Sequence, residues 1–243
     1  MNSSFSALTN REKSVKIYEV KKESENTVKR IITFIILAAI MLLCFSSCAE
    51  EKQPPTLKEI DFSEATTIEK VKTSDSATDY VLIDVKDYGK ILVRLFPDVA
   101  PETVENFKKL VSDKFFDGLI FHRVIEDFMI QGGGYTPDME ERDAKSIKGE
   151  FTSNGFTNNL VHFRGVISMA RTSVPDSASS QFFIMHKTST HLDGQYAAFG
   201  YTVYGMDVVD EIASVRTDAN DQPRNDVVIS SIRFADVSEV SFK

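Results

Sequence analysis

Three hydrophobic patterns follow one another along the 243-residue chain. Residues 31–45 read IITFIILAAIMLLCF, fifteen positions without a charge. Residues 49–78 are polar, contain Pro54-Pro55 and mix acidic and basic side chains without a sustained period. Beyond Asp79, short β-branched and aliphatic runs recur between turn signals. The first two, 80–85 and 91–96, flank Asp87-Tyr88-Gly89-Lys90 and predict a hairpin. Further strands are predicted over 120–124, 128–131, 166–170, 182–185, 198–202 and 227–234. Pro101 opens a helix with Val104, Phe107, Leu110 and Val111 on one face. Its charges suit the macrodipole, with Glu102 and Glu105 early and Lys108 and Lys109 late. A second helix is predicted over 206–213, where Met206, Val209, Ile212 and Ala213 align. Many short strands with only two helices predict a mainly β fold, an antiparallel sheet closed into a barrel or sandwich.

Composition narrows this picture. Hydrophobic residues make up 42% and charged residues 26%, the balance of a globular chain. Phe occurs 18 times and Trp never, so Phe and Tyr must build the aromatic core. The net charge is -8, and residues 1–47 hold seven basic and four acidic side chains, so the rest is more acidic still. A surface of that sign repels phosphate backbones, which argues against a nucleic-acid partner. Both cysteines, Cys44 and Cys48, lie at the end of the apolar run, so no disulfide can form downstream.

That run follows Lys29-Arg30 and precedes Ser46-Ser47-Cys48, the layout of a secretory signal. Fifteen residues are short for a membrane span. The segment resembles a bacterial lipoprotein signal, which implies that Cys48 is acylated and becomes the mature N-terminus. Phe45 departs from the aliphatic residue preferred three positions before that Cys. An uncleaved anchor is the alternative, and either ties the protein to a membrane. Residues 1–27 form a long polar leader, which translation starting at Val28 would remove. The expected organisation is a leader and signal over 1–47, a lipid-anchored polar tether over 48–78, a domain over 79–235 and a tail over 236–243. A flexible tether of this length reaches about 30 Å, and its stretch 57–71 could be locally helical.

Chemistry concentrates in two segments. FHRVIEDFMIQGG, residues 121–133, sets one cation, Arg123, among Phe121, Phe128 and Met129, with Gln131 close by. Strand alternation groups Phe128 with Ile130 and Met129 with Gln131. The second segment runs from GVISMA (165–170) to SSQFFIMHKTSTHLDGQYAAFG (179–200). Gly132-Gly133-Gly134 lacks the Lys-Ser/Thr of a phosphate loop and reads as a turn. His186 and His191 lack metal-pair spacing, and Ser168 and Ser180 lack a nucleophile-elbow context, so neither metal nor hydrolase chemistry is expected. His122 reads as a structural residue beside the site.

FHRVI..FMIQGG, GVISMA and SQFFI...LDG..AAFG together resemble the cyclophilin signature, in order and at its spacing, over nearly all of residues 80–235. The resemblance implies a closed eight-stranded antiparallel barrel capped by two helices, and a peptidyl-prolyl cis/trans isomerase that needs no cofactor. It assigns Arg123 as the catalytic arginine and Gln131 as its substrate-binding neighbour. Phe128, Met129, Phe183 and Leu192 match the proline pocket, and Ala170, Arg171 and Gln181 the groove for the preceding residues. Three positions depart from well-known members: His191 replaces a Trp, Tyr196 a His and Arg171 an Asn. The segment 135–151 also lacks the glycines common there. Proline-containing polypeptides are the implied partners, and the expected form is a monomer held on the cell envelope, facing the periplasm or exterior, that assists folding. A non-catalytic peptide-binding module is the alternative.

Overall fold

The protein's computed structural model describes residues 71–237. Nine antiparallel strands form one sheet: β1 (Lys72–Ser74), β2 (Tyr80–Val85), β3 (Gly89–Leu95), β4 (Arg123–Ile125), β5 (Met129–Gly132), β6 (Val166–Met169), β7 (Phe182–Met185), β8 (Ala198–Tyr204) and β9 (Ile229–Asp236). Their order is β1-β9-β2-β3-β8-β6-β7-β5-β4. Side-chain alternation explains why the sheet curls. Val81, Ile83 and Val85 of β2 and Ile91, Val93 and Leu95 of β3 face one large core. Leu82 and Leu92 point the other way and meet Ala235 in a small outer cluster.

The sheet corrects the expected closed eight-stranded barrel. Its two edges, β1 and β4, are not paired, so it is a curled half-barrel of nine strands. The ninth is β1, which lies inside the stretch read as tether and pairs with the end of β9. At the other edge β4 spans only three residues. The residues before it, predicted as strand from Ile120, form a single bridge to Val228 instead of a ladder. Gly118 and Phe121 donate to the Ile229 and Val227 carbonyls, both at 2.9 Å, and Ile229 donates to the Leu119 carbonyl at 2.8 Å, so this segment is tied to the start of β9 over a few residues without forming a continuous strand.

Helix α1 (Pro101–Ser112) buries the predicted face, including Val104, Phe107, Leu110 and Val111. Phe107 sits at the hub of the aromatic core, 5.1 Å from Phe116, 5.6 Å from Phe182 and 5.2 Å from Phe199 by ring centroid. The start of α1 is capped from a distance, because the buried carboxylate of Glu150 accepts the backbone N–H of Glu102 at 3.1 Å and of Thr103 at 2.8 Å. That answers two of the N–H groups a helix start leaves without partners. Helix α2 (Met206–Ala213) packs Val208, Val209, Ile212 and Ala213 inward. The glycine-poor segment after Tyr135 is held by a bridge between Tyr135 and Glu141 and by Arg142, which donates to the Phe115 and Asp117 carbonyls. Among the described residues no helix is long and apolar enough to cross a membrane. The apolar run 31–45, Cys48 and the stretch 57–70 lie outside the described residues.

Candidate active site

Strand register brings the chemistry together. Arg123 on β4 faces Gln131 on β5, Gln131 faces Phe183 on β7, and Phe183 faces Ser168 on β6. These four residues form one row across four neighbouring strands, so their side chains share a face of the sheet. Met129, two residues before Gln131, lies on that face too. The residues between them, Ile130, Phe182 and Ile184, turn into the main core.

Over this face opens a cavity of about 150 Å³ lined by Arg123, Phe128, Met129, Gln131, Ala170, Arg171, Phe183, Leu192 and Tyr196. Met129, Phe183 and Leu192 are buried and form an apolar floor. Phe128 shares the cavity with Met129, although alternation separates them. The strand begins only at Met129. Phe128 therefore belongs to the preceding turn, where Asp127 takes a positive φ of 61°.

The other two predicted residues stand just behind the wall. His191 is stacked on Phe128, with ring centroids 5.7 Å apart. Gln181 accepts a hydrogen bond from Gln131 Nε2 at 3.0 Å. The glycine turn makes that contact possible: a Cβ on Gly134 would come within 2.5 Å of the Gln181 side chain. The turn itself needs Gly133, whose φ is +85°.

The cation is held but not consumed. Arg123 Nε and Nη2 each lie 3.3 Å from Asp221 Oδ2, a partner that nothing in the sequence signals across 98 residues. The two side chains are 43% and 41% exposed, so the pair is wet and modest in strength. Nη1 retains its donors for whatever enters the cavity.

Two histidines, neither assigned a role in the chemistry, back the site. His122 lies 3.4 Å from Gln131 Nε2, and its pKa is pushed down to about 4 by burial and then by the Arg123 charge. A neutral His122 therefore accepts from Gln131 at this position. His162 is fully buried behind Phe183, the rings stacked at 6.0 Å. Its Nδ1 is 3.0 Å from Asp193 Oδ1 and its Nε2 3.0 Å from Ser168 Oγ. Burial lowers its pKa, and the Asp193 bond and charge oppose that. Since Asp193 only accepts, Nδ1 carries the proton and Nε2 accepts from Ser168.

These shifts predict a pH effect on stability. For His122 the folded pKa is below the unfolded one, so between pH 6.5 and about 4 the unfolded chain binds the proton and the native state does not. Its contribution is complete above pH 6.5 and is lost as pH falls through that window, by up to about 3 kcal/mol. Denaturant unfolding at pH 7 and pH 4.5 checks this. The drop should shrink in His122→Gln, and an equal drop in both proteins would contradict it.

Among the described residues no cluster of three or more His, Cys, Asp or Glu could hold a metal ion. Comparison with known proteins agrees with the geometry. The sequence profile of the family described as cyclophilin type peptidyl-prolyl cis-trans isomerase/CLD matches residues 80–234. A peptidyl-prolyl cis-trans isomerase of Acinetobacter baylyi is 42% identical over 168 residues, covering 65% of this chain and 87% of its own. Peptidyl-prolyl cis-trans isomerase B of Escherichia coli is 40% identical over 162 residues, covering 62% of this chain and 96% of its own. The crystal structure of a Cryptosporidium parvum cyclophilin type isomerase in the presence of the dipeptide Ala-Pro superposes with a TM-score of 0.57 at 27% identity, covering 64% of this chain and 98% of that one. On the matched motifs, the shared fold and the cavity they line, the chain belongs to the cyclophilin-type peptidyl-prolyl cis-trans isomerases.

Proposed function

We propose that the cavity binds a proline ring on its Met129, Phe183, Leu192 and Phe128 surface while Arg123 stabilises the twisted X–Pro bond. The observation that carries this is the row Arg123, Gln131, Phe183, which sets a cation and an amide beside an apolar floor. Rotation about an X–Pro bond faces a barrier of about 18–20 kcal/mol from amide resonance. Twisting removes that resonance and leaves a lone pair on nitrogen. A guanidinium directed at that nitrogen binds the twisted amide better than either planar form, and only such differential binding raises the rate. A ten-thousandfold acceleration needs about 5.5 kcal/mol. A charge-assisted hydrogen bond and anchoring of the ring together supply an effect of that order. Gln131, oriented by Gln181 and His122, positions the peptide backbone beside the ring.

The setting follows from the N-terminal sequence. Lys29-Arg30, the uncharged run 31–45 and Ser46-Ser47-Cys48 support a lipoprotein with Cys48 acylated, and the polar stretch after it supports a tether. In this reading the protein is a monomer on the cell envelope, facing the periplasm or exterior, and its clients are extracytoplasmic proteins folding past slow prolines.

Refolding of a protein whose slow phase is proline isomerisation tests the folding role. Catalytic amounts of the enzyme should speed that phase, which otherwise takes about 10–100 s, and leave the fast phase alone. An unchanged slow phase would contradict the reading.

A further inference from the structure

Arg171 follows β6 at the rim of the cavity, and its guanidinium is unusually well fixed for a partly exposed side chain. Its Cζ lies over two rings, 4.8 Å from the Phe151 centroid and 4.7 Å from that of Tyr196. Nε and Nη2 donate to the Gln195 carbonyl at 3.0 and 2.8 Å, and Nη1 donates to the Thr172 carbonyl at 2.9 Å. A guanidinium carries five N–H donors and three are used here, so one remains on each Nη for a ligand.

The charge is as informative as the geometry. The cavity wall carries two cations, Arg123 and Arg171, and no carboxylate. Arg123 faces Asp221, whereas among the described residues Arg171 makes no ion pair and meets only neutral carbonyls and ring faces. The protein is acidic as a whole. Salt screens distant charges beyond about 8–10 Å, so a substrate side chain at the rim senses chiefly Arg171. Holding the plane in advance also lowers the side-chain entropy lost on binding, which favours a planar, two-oxygen ligand.

We propose that Arg171 is a specificity-determining residue, making the enzyme prefer peptides with a carboxylate side chain, Glu or Asp, one or two residues before the proline. The proposal rests on the isomerase reading of this cavity. The two are separable because one concerns whether a proline peptide turns over and the other concerns a ratio between peptides.

The test uses N-acetylated Ala-X-Pro-Phe and X-Ala-Pro-Phe with X as Glu, Gln or Lys, and kcat/KM from cis/trans exchange. In the unmodified protein Glu should exceed Gln by about three- to tenfold at one of the two positions, with Lys below Gln. The ratio should shrink at about 0.5 M salt. In Arg171→Gln it should fall to near one, and Arg171→Lys, which keeps the charge without the planar fork, should retain part of it. Because each ratio is taken within one protein, any general loss of activity in a variant cancels. Turnover of all peptides with equal rates for Glu and Gln at both positions would overturn the proposal and leave the isomerase standing, as would a preference that survives in Arg171→Gln. No turnover of any peptide would overturn both.

Discussion

Arg123→Ala should lower kcat/KM for a proline peptide by about a hundred- to a thousandfold, the cost of removing a transition-state donor from a preorganised site, and leave the fold intact. In the proposed mechanism the Arg123 guanidinium binds the twisted amide better than a planar one. Its loss should therefore act mainly on turnover and little on peptide affinity. Stability should change by less than about 1 kcal/mol, because among the described residues the ion pair lost is the exposed 3.3 Å contact to Asp221. Exchange rates beside circular dichroism and denaturant melts check both halves. Near-normal turnover in a folded Arg123→Ala protein would remove the guanidinium from the mechanism.

The second large effect is all-or-none. Cys48→Ser should abolish incorporation of labelled fatty acid and leave an unprocessed precursor, since a serine hydroxyl cannot take the place of the thioether-forming sulfur. Only Cys44 could substitute, and it lies within the apolar run, ahead of Ser46-Ser47. Labelling and processing that persist in Cys48→Ser would show that Cys48 is not the acylated residue and would contradict the lipoprotein reading, whereas a wild-type chain that is membrane-bound but neither labelled nor processed would point to an uncleaved anchor.

Much of the site was legible because the sequence states it locally. Phe182 and Phe183 are adjacent, and a two-residue period alone places them on opposite faces. Phe182 meets Phe107, Phe116 and Phe121 in the main core, while Phe183 forms the cavity floor. The hairpin β2–β3 and both helices follow equally from local pattern and charge. What stayed hidden depends on residues far apart in the chain. Asp221 beside Arg123, Glu150 at the start of α1 and His162 beneath Phe183 carry no local signature, because a polar residue in a loop acquires its partner only when the fold delivers one. Phe128 escaped the alternation rule because a turn, not a strand, carries it. The sheet was expected to close because many short strands favour closure. The short β4 edge and the added β1 leave it open, and no residue pattern within either strand announces that outcome.

The most direct measurement is two-dimensional exchange NMR on an Ala-Pro-containing tetrapeptide with substoichiometric enzyme. Uncatalysed exchange is too slow to give cross-peaks, since isomerisation takes about 10–100 s at 25 °C. The predicted result is clear cis/trans cross-peaks at an enzyme-to-peptide ratio of about one to a hundred, with a rate proportional to enzyme concentration and lost in Arg123→Ala. Peptide binding at the cavity without cross-peaks would contradict the account and leave a groove that holds proline without turning it.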